Sequence, residues 1–432
     1  MRGTDFISIN DFLFLPFFLT IILVISRLVQ KRNIEKYPEY KYYLPGLSLK
    51  LLGGISVCLI YTYYYVGGDT LAYFYDGVVM TKFFFLNPKE FFRIIFWGGT
   101  LDDRYLFNSD TGSPLLLYDG YAFFVVRFTC ILTLIGFRSF LVTTCLLAWI
   151  SFGGLWRLFR VFIQEFPGDI KQVAIAFFFI PSLFFWGSGL LKDTITTSFM
   201  AYFVSSFYMV LIKHKKIFAN ILIMILSTWI IISIKPYIFV GLLPGLAIWT
   251  ISAYAHRIKS KLLRSMILPI FLLIIAGFAV LLMSLLGNSL GQYNLDTILV
   301  KATETQKDLK RDYYMGNSFD IGTIDPTFSS LITHAHLAIF AAIFRPALIE
   351  VNNPVMFFSA IENTFILYIT LRILWRLRFF GIFKYFFGYN SMLTFSLIFS
   401  LFFAFSVGIT TSNFGSLVRY KIPLLPFYVS SV

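Results

Sequence analysis

Runs of about 20 apolar residues recur along this chain, and that repetition restricts the fold more than any motif does. They fall at 11–29, 50–66, 139–160, 172–187, 194–212, 217–234, 237–255, 265–287, 355–375 and 390–410. Three further apolar stretches, 119–137, 331–344 and 422–432, are ambiguous. Inside a bilayer a spanning segment must satisfy its own amides as a helix, or close into a barrel. These runs are too long and too uniformly apolar for barrel strands. The expected fold is all-α: a polytopic transmembrane helix bundle of about 10–12 spans, forming one integral membrane domain over residues 1–432. The charged fraction is 13%, well below the roughly 25% of soluble domains. The first run lacks a small-residue cleavage site and reads as an anchor. Cys58, Cys130 and Cys145 lie in apolar surroundings without metal-type spacing and read as packing residues.

The net charge of +14 fits a bias of cytoplasmic loops toward Lys and Arg, and no nucleic-acid partner is called for. Five short segments carry basic groups. They are Arg27 to Lys41, Arg157 to Lys171, Lys213 to Lys216, Arg257 to Arg264, and Arg372 to Lys384. All five fall on the cytoplasmic side only if 119–137 does not cross. That stretch also carries Arg127 near its middle, and a central Arg costs about 3 kcal/mol on insertion. It therefore reads as an interfacial or re-entrant helix. Two large loops, 67–138 and 288–354, then face outward, which points to binding or chemistry at the outer interface.

Four constellations could carry that chemistry. In VGGDTLAYFYDG, residues 66–77, a helix beginning near Asp69 puts Asp69, Tyr73 and Asp76 on one face. Asp69 is either a helix cap or a general base, and Asp76 reads more as a residue ending the helix before Gly77 than as a substrate contact. In PSLFFWGSGLLKDTITT, Pro181 kinks or breaks a span, and Lys192 and Asp193 open the next one after a glycine turn. In FRPALIEVNNP, Arg345 and Glu350 can pair with each other or with the intramembrane Glu362. In TTSNFGSLVRYKIPLLP, Arg419 and Lys421 suit a phosphate or pyrophosphate, and Lys235 of IKPY can join them. Structural ion pairs and lipid anchoring are the plainer readings of these charges. His334 and His336 form one HxH without an obvious third ligand, so no metal is expected. Phosphate-loop, serine-elbow and dinucleotide motifs are absent from the sequence.

The order GGDTLAY, SPLLLYDGY with the 119–137 helix, GLWRLFR, then PSLFFWGSGLLKD resembles that of polyprenyl-phosphate-dependent membrane glycosyltransferases of the GT-C fold, especially the dolichyl-phosphate-mannose mannosyltransferase-like group. The likeness covers roughly residues 50–212 and rests on order and placement more than on identity. It implies a GT-C-like bundle with interfacial helices in the outer loops, Asp69 as catalytic base and Asp193 as a second acidic site. Two apparent spans precede Asp69 where the family usually has one. The ending VRYKIPLLPF also resembles that of Wzy-type polysaccharide polymerases.

The resulting expectation is a multi-pass protein of the bacterial cytoplasmic (inner) membrane, its site facing outward, in polysaccharide biosynthesis of the cell envelope. It would move a sugar from a polyprenyl-phosphate-linked donor to a glycan or lipid acceptor, with no cofactor beyond that lipid-linked donor. Lys192, Arg345, Arg419 and Lys421 would meet the phosphate. A Wzy-type polymerase acting on lipid diphosphate-linked repeat units is the nearest alternative. A lipid-linked sugar transporter or flippase is another; it would place its charges at mid-membrane.

Overall fold

The computed structural model describes residues 6–255, 304, 318–322, 325, 327–388 and 390–432. Among these the regular structure is all helical. Eight helices are long and apolar enough to cross a membrane: Ile9–Asn33, Pro38–Tyr64, Phe140–Glu165, Lys192–Ile212, Ile217–Ile234, Pro236–Tyr254, Pro354–Arg378 and Ser391–Thr410. This is a multi-pass membrane protein. Each of the eight overlaps an expected span. The stretch 265–287 lies outside the described residues, as does most of 288–317. The chain divides into two compact units, Met1–Ser206 with Leu222–Lys235, and Phe207–Ile221 with Pro236–Val432.

In the first unit, α1 (Ile9–Asn33), α2 (Tyr43–Leu59) and α6 (Phe140–Glu165) form the frame. Two polar contacts fix their directions. Asp11, at the start of α1, accepts from the Ser139 hydroxyl at 2.7 Å and the Leu141 amide at 2.8 Å. Glu39, just before α2, pairs with Arg160 near the end of α6 at 3.3 Å. Between them, Cys58 donates to Thr144, and Tyr40 and Tyr43 pack edge-on against Trp156. So α2 and α6 are antiparallel, and the excursion 65–138 leaves and returns at the same end of the unit, here called the Asp11 end. It holds α3 (Asp69–Leu86), α4 (Pro88–Trp97) and α5 (Gly120–Ile135). At 16 residues α5 is short for a span.

The expected span 172–187 is not one helix. It is α7 (Ile170–Phe178) and α8 (Pro181–Trp186), separated because Pro181 supplies no amide to the ladder and starts a new helix at N1. The broken pair runs alongside α2 in the same direction. A Cβ on Gly46 would touch Phe178 at 2.9 Å, one on Gly53 would meet the Phe184 carbonyl at 2.0 Å, and one on Gly54 would meet the Ser188 carbonyl at 3.1 Å. The glycines of α2 are thus a groove for another backbone. The chain emerges at the Asp11 end and turns into α9 (Lys192–Phe207); α10 (Ile217–Ile234) leads back to Lys235.

In the second unit, α11 (Pro236–Ala255), α12 (Phe328–Phe344), α13 (Pro354–Gly388) and α14 (Ser391–Thr410) are joined by the short α15 (Phe414–Tyr420) and α16 (Leu425–Ser431). Phe395, Phe399 and Phe403 form a ring ladder along α14; Trp249 stacks on it at 4.8 Å, and Phe427 meets it edge-on. The ambiguous 422–432 stretch turns back along α14, since the Leu424 carbonyl accepts from Ser400 at 3.5 Å. Helix α13 is interrupted at Arg378 (φ 54°).

Candidate functional site

The Asp11 end of the first unit gathers charge from four elements around Lys192. Its ammonium lies 4.0 Å from Asp119 and within electrostatic reach of Lys235, Asp69 and Asp193. Each residue arrives there for a local reason.

Asp69 is the first residue of α3, not its cap. The cap position belongs to Gly68, whose φ of +104° and contact with the Tyr61 ring, 2.7 Å from a would-be Cβ, admit no other residue comfortably. Ahead of it, residues 60–64 form a π turn and Val66 sits at φ 52°. A β-branched residue in the left-handed region is strained, and such strain is characteristic of functional segments. Asp69 itself is exposed.

Asp119 caps α5, accepting from the amides of Tyr121 and Ala122 at 3.0 Å each. Lys192 opens α9 after a pinned turn: Leu191 donates to the Gly189 carbonyl at 2.9 Å, as does the Thr194 hydroxyl at 2.6 Å. Beside it Asp193 is fully buried and pairs at 2.5 Å with Lys235, which is also buried, at the end of α10. Lys192 and Asp193 are neighbours in the sequence. They diverge because successive helical residues point about 100° apart, so one reaches Asp119 and the other Lys235. The site thus holds three carboxylates, the exposed Asp69 and Asp119 and a buried, ion-paired Asp193, with one half-buried lysine near all three.

Asp76 does another job. Helix α3 continues through Gly77 to Leu86, contrary to the expected stop. Gly77 is small because α5 crosses there, with Thr129 2.7 Å from a would-be Cβ. Asp76 is buried, and its two oxygens accept from the Leu115 and Leu116 amides, each at 2.8 Å. Burial pushes its carboxyl up to about 6 while those two bonds oppose the shift. It fastens the loop ahead of α5 onto α3.

The other five sequence-predicted residues, Arg345, Glu350, Glu362, Arg419 and Lys421, belong to the second unit. Arg345 pairs with Glu350 through Nε at 2.9 Å and lies over the rings of Phe319 and Phe414. Burial raises the Glu350 carboxyl, but Arg345 and the Ala347 amide outweigh it and hold it low. Lys421, expected at an interface, is fully buried: it donates to Asn363 Oδ1 at 2.5 Å and to the Ile343 carbonyl at 3.3 Å, with Glu362 as its electrostatic neighbour. Glu362, one of the two partners the sequence offered Arg345, is thus an electrostatic neighbour of Lys421. Arg419 is half-buried near the end of α15.

Asp119 and Lys50 escaped the sequence reading. Asp119 stands in YDGY, an Asp ahead of an apolar helix, which is a legible cap signal. Lys50 is a lone cation within an apolar run, and an intramembrane charge is itself a flag. Comparison with protein-family models, with curated proteins and with solved structures found no match.

Proposed function

We propose that this chain is a membrane glycosyltransferase that moves a sugar from a polyprenyl-phosphate-linked donor to a glycan or lipid acceptor. The observation that carries this reading is the gathering of Asp69, Asp119, Lys192, Asp193 and Lys235 at the Asp11 end of the first unit. Arg157 and Arg160 lie toward the other end of α6, so the positive-inside rule turns the site outward, as in a bacterial inner membrane with lipid-linked donors on its outer face. A GT-C-like arrangement fits the order of the elements.

Asp69, exposed at the start of α3, takes the proton of the acceptor hydroxyl. The hydroxyl oxygen bonds to the sugar C1 as the bond from C1 to the phosphate oxygen breaks. The electron pair leaves on the polyprenyl phosphate, and Lys192 neutralises the charge that develops there. Asp119 aims Lys192, and the Asp193–Lys235 pair secures the start of α9.

A Wzy-type polymerase is a second reading. It is favoured by two ammonium groups, Lys192 and Lys235, lying within electrostatic reach of each other, which suits a diphosphate leaving group. Transport is less well supported. Its charges belong at mid-membrane, and Lys50, midway along α2, bonds a backbone carbonyl.

The test uses purified protein in nanodiscs, given undecaprenyl phosphate bearing a radiolabelled hexose and a lipid acceptor mixture. Asp69→Asn is expected to lower transfer by about 10²–10⁴-fold. Undiminished transfer in that variant would remove Asp69 from the mechanism. Activity only with a lipid diphosphate oligosaccharide would select the polymerase.

A further inference from the structure

Lys50 is 3% exposed in the middle of α2 and takes part in no ion pair among the described residues. An unpaired buried ammonium is costly unless its protons find acceptors. Its acceptor is the carbonyl of Gly187, the residue that ends α8. The last carbonyls of a helix have no partner within it and carry the negative end of its dipole. A cation there satisfies both groups.

The surroundings show what this bond holds. Gly46, Lys50, Gly53, Gly54 and Val57 share one face of α2, and α7, α8 and the following turn lie along that face. On this face of α2 Lys50 stands among glycines and a valine, and its long side chain is a polar grip on the broken crossing. A methionine would fill similar volume without the desolvation cost, so packing alone does not account for a lysine. Five residues beyond Gly187 comes Lys192. Between them the chain is held by the Gly187 amide on the Leu183 carbonyl, the Ser188 amide on the Phe185 carbonyl, and the Leu191 and Thr194 bonds to Gly189. A shift of Gly187 is carried to Lys192 and Asp193.

We propose that Lys50 is a positioning residue for the site: its bond to the Gly187 carbonyl fixes the height at which the broken crossing presents Lys192 and Asp193. The catalytic half of this proposal rests on the glycosyl-transfer reading; the structural half does not.

Two measurements on full-length protein in nanodiscs test it. Hydrogen exchange is read on the amides of residues 188–194, with α6 as internal reference. In Lys50→Met these amides exchange about tenfold faster or more, as expected when a charged hydrogen bond holding a segment is lost. The α6 amides do not change, and Lys50→Arg recovers part of the protection. Sugar transfer is then read as a cycle. Lys50→Met lowers transfer about tenfold in the wild-type background and not further in Lys192→Met, because it acts through Lys192. Unchanged exchange at 188–194 overturns the proposal, as does an equal loss of transfer in both backgrounds. If Lys50→Met does not fold, Lys50→Gln, which keeps an N–H donor, is read against Lys50→Arg by the same criteria. Altered exchange in a protein whose wild type transfers no sugar upholds the clamp and refutes the glycosyl-transfer reading instead.

Discussion

Replacing Lys235 by Met gives a test in which the size of the effect follows from burial. Asp193 is fully buried and Lys235 nearly so, with 2.5 Å between their charged atoms. Removing the lysine leaves a buried carboxylate without its ion-pair partner, and breaking such a pair from one side costs about 3–5 kcal/mol. Lys192 stays within electrostatic reach of Asp193 and offsets part of the loss, so the lower value, about 3 kcal/mol, is the expected one. A unit of roughly 220 residues shifts its Tm by about 2–4 °C per kcal/mol on the globular-protein scale, giving a fall of about 6–12 °C. The unit carries its own reporters. Cys58, Cys130 and Cys145 are free, buried and all in the first unit, so a thiol-reactive dye in a detergent melt reads its unfolding. Lys235→Met with Asp193→Asn removes both charges and should regain most of the lost stability. A Tm for Lys235→Met within about 2 °C of wild type, or a double variant no more stable than the single one, would refute the reasoning.

Two other expectations follow. The Asp76 carboxyl has a folded value of about 6 against an ordinary 3.8, so its contribution is complete below about pH 4 and lost as pH rises through about 6. Protection of the Leu115 and Leu116 amides, corrected for intrinsic exchange, should therefore fall between pH 5 and pH 8, and Asp76→Asn should flatten that dependence; a flat wild-type profile would contradict it. Gly53→Ala puts a Cβ 2.0 Å from the Phe184 carbonyl, and such overpacking costs about 1–3 kcal/mol. The dye melt should show the loss, whereas an unchanged midpoint would mean α8 can move off α2 freely.

What the sequence revealed, and what it hid, divides along the reach of the interactions. The apolar runs and the Pro181 break are local signals, and the helices lie where those signals put them. The basic segments put the helix ends bearing Asp69, Lys192 and Asp193 on one side, but the sequence reading joined Lys235 to Arg419 and Lys421, whereas the structure pairs it with Asp193. Partner choice did not follow. Asp193 joins Lys235, because the bundle supplies a lysine 42 positions away. Gly77 looked like a helix stop, but it is a site of close approach by α5, which only tertiary packing shows. Lys421 looked interfacial beside Arg419, yet it is buried where the Ile343 carbonyl of α12 and Asn363 of α13 accept its protons.

The distance in sequence from Lys50 to Gly187 has a consequence in time. The bond joins residues 137 positions apart. At about 5–20 residues per second a ribosome needs roughly 7–27 s to make that interval. For all of it, α2 has already been synthesised with its lysine and the carbonyl that will receive it does not yet exist. A lysine at the centre of a membrane helix costs about 2.5–3.5 kcal/mol on insertion. Until the broken crossing is made, that cost has no offset from the Gly187 carbonyl. The contact that joins the second helix to the eighth can thus form only after the eighth has been synthesised.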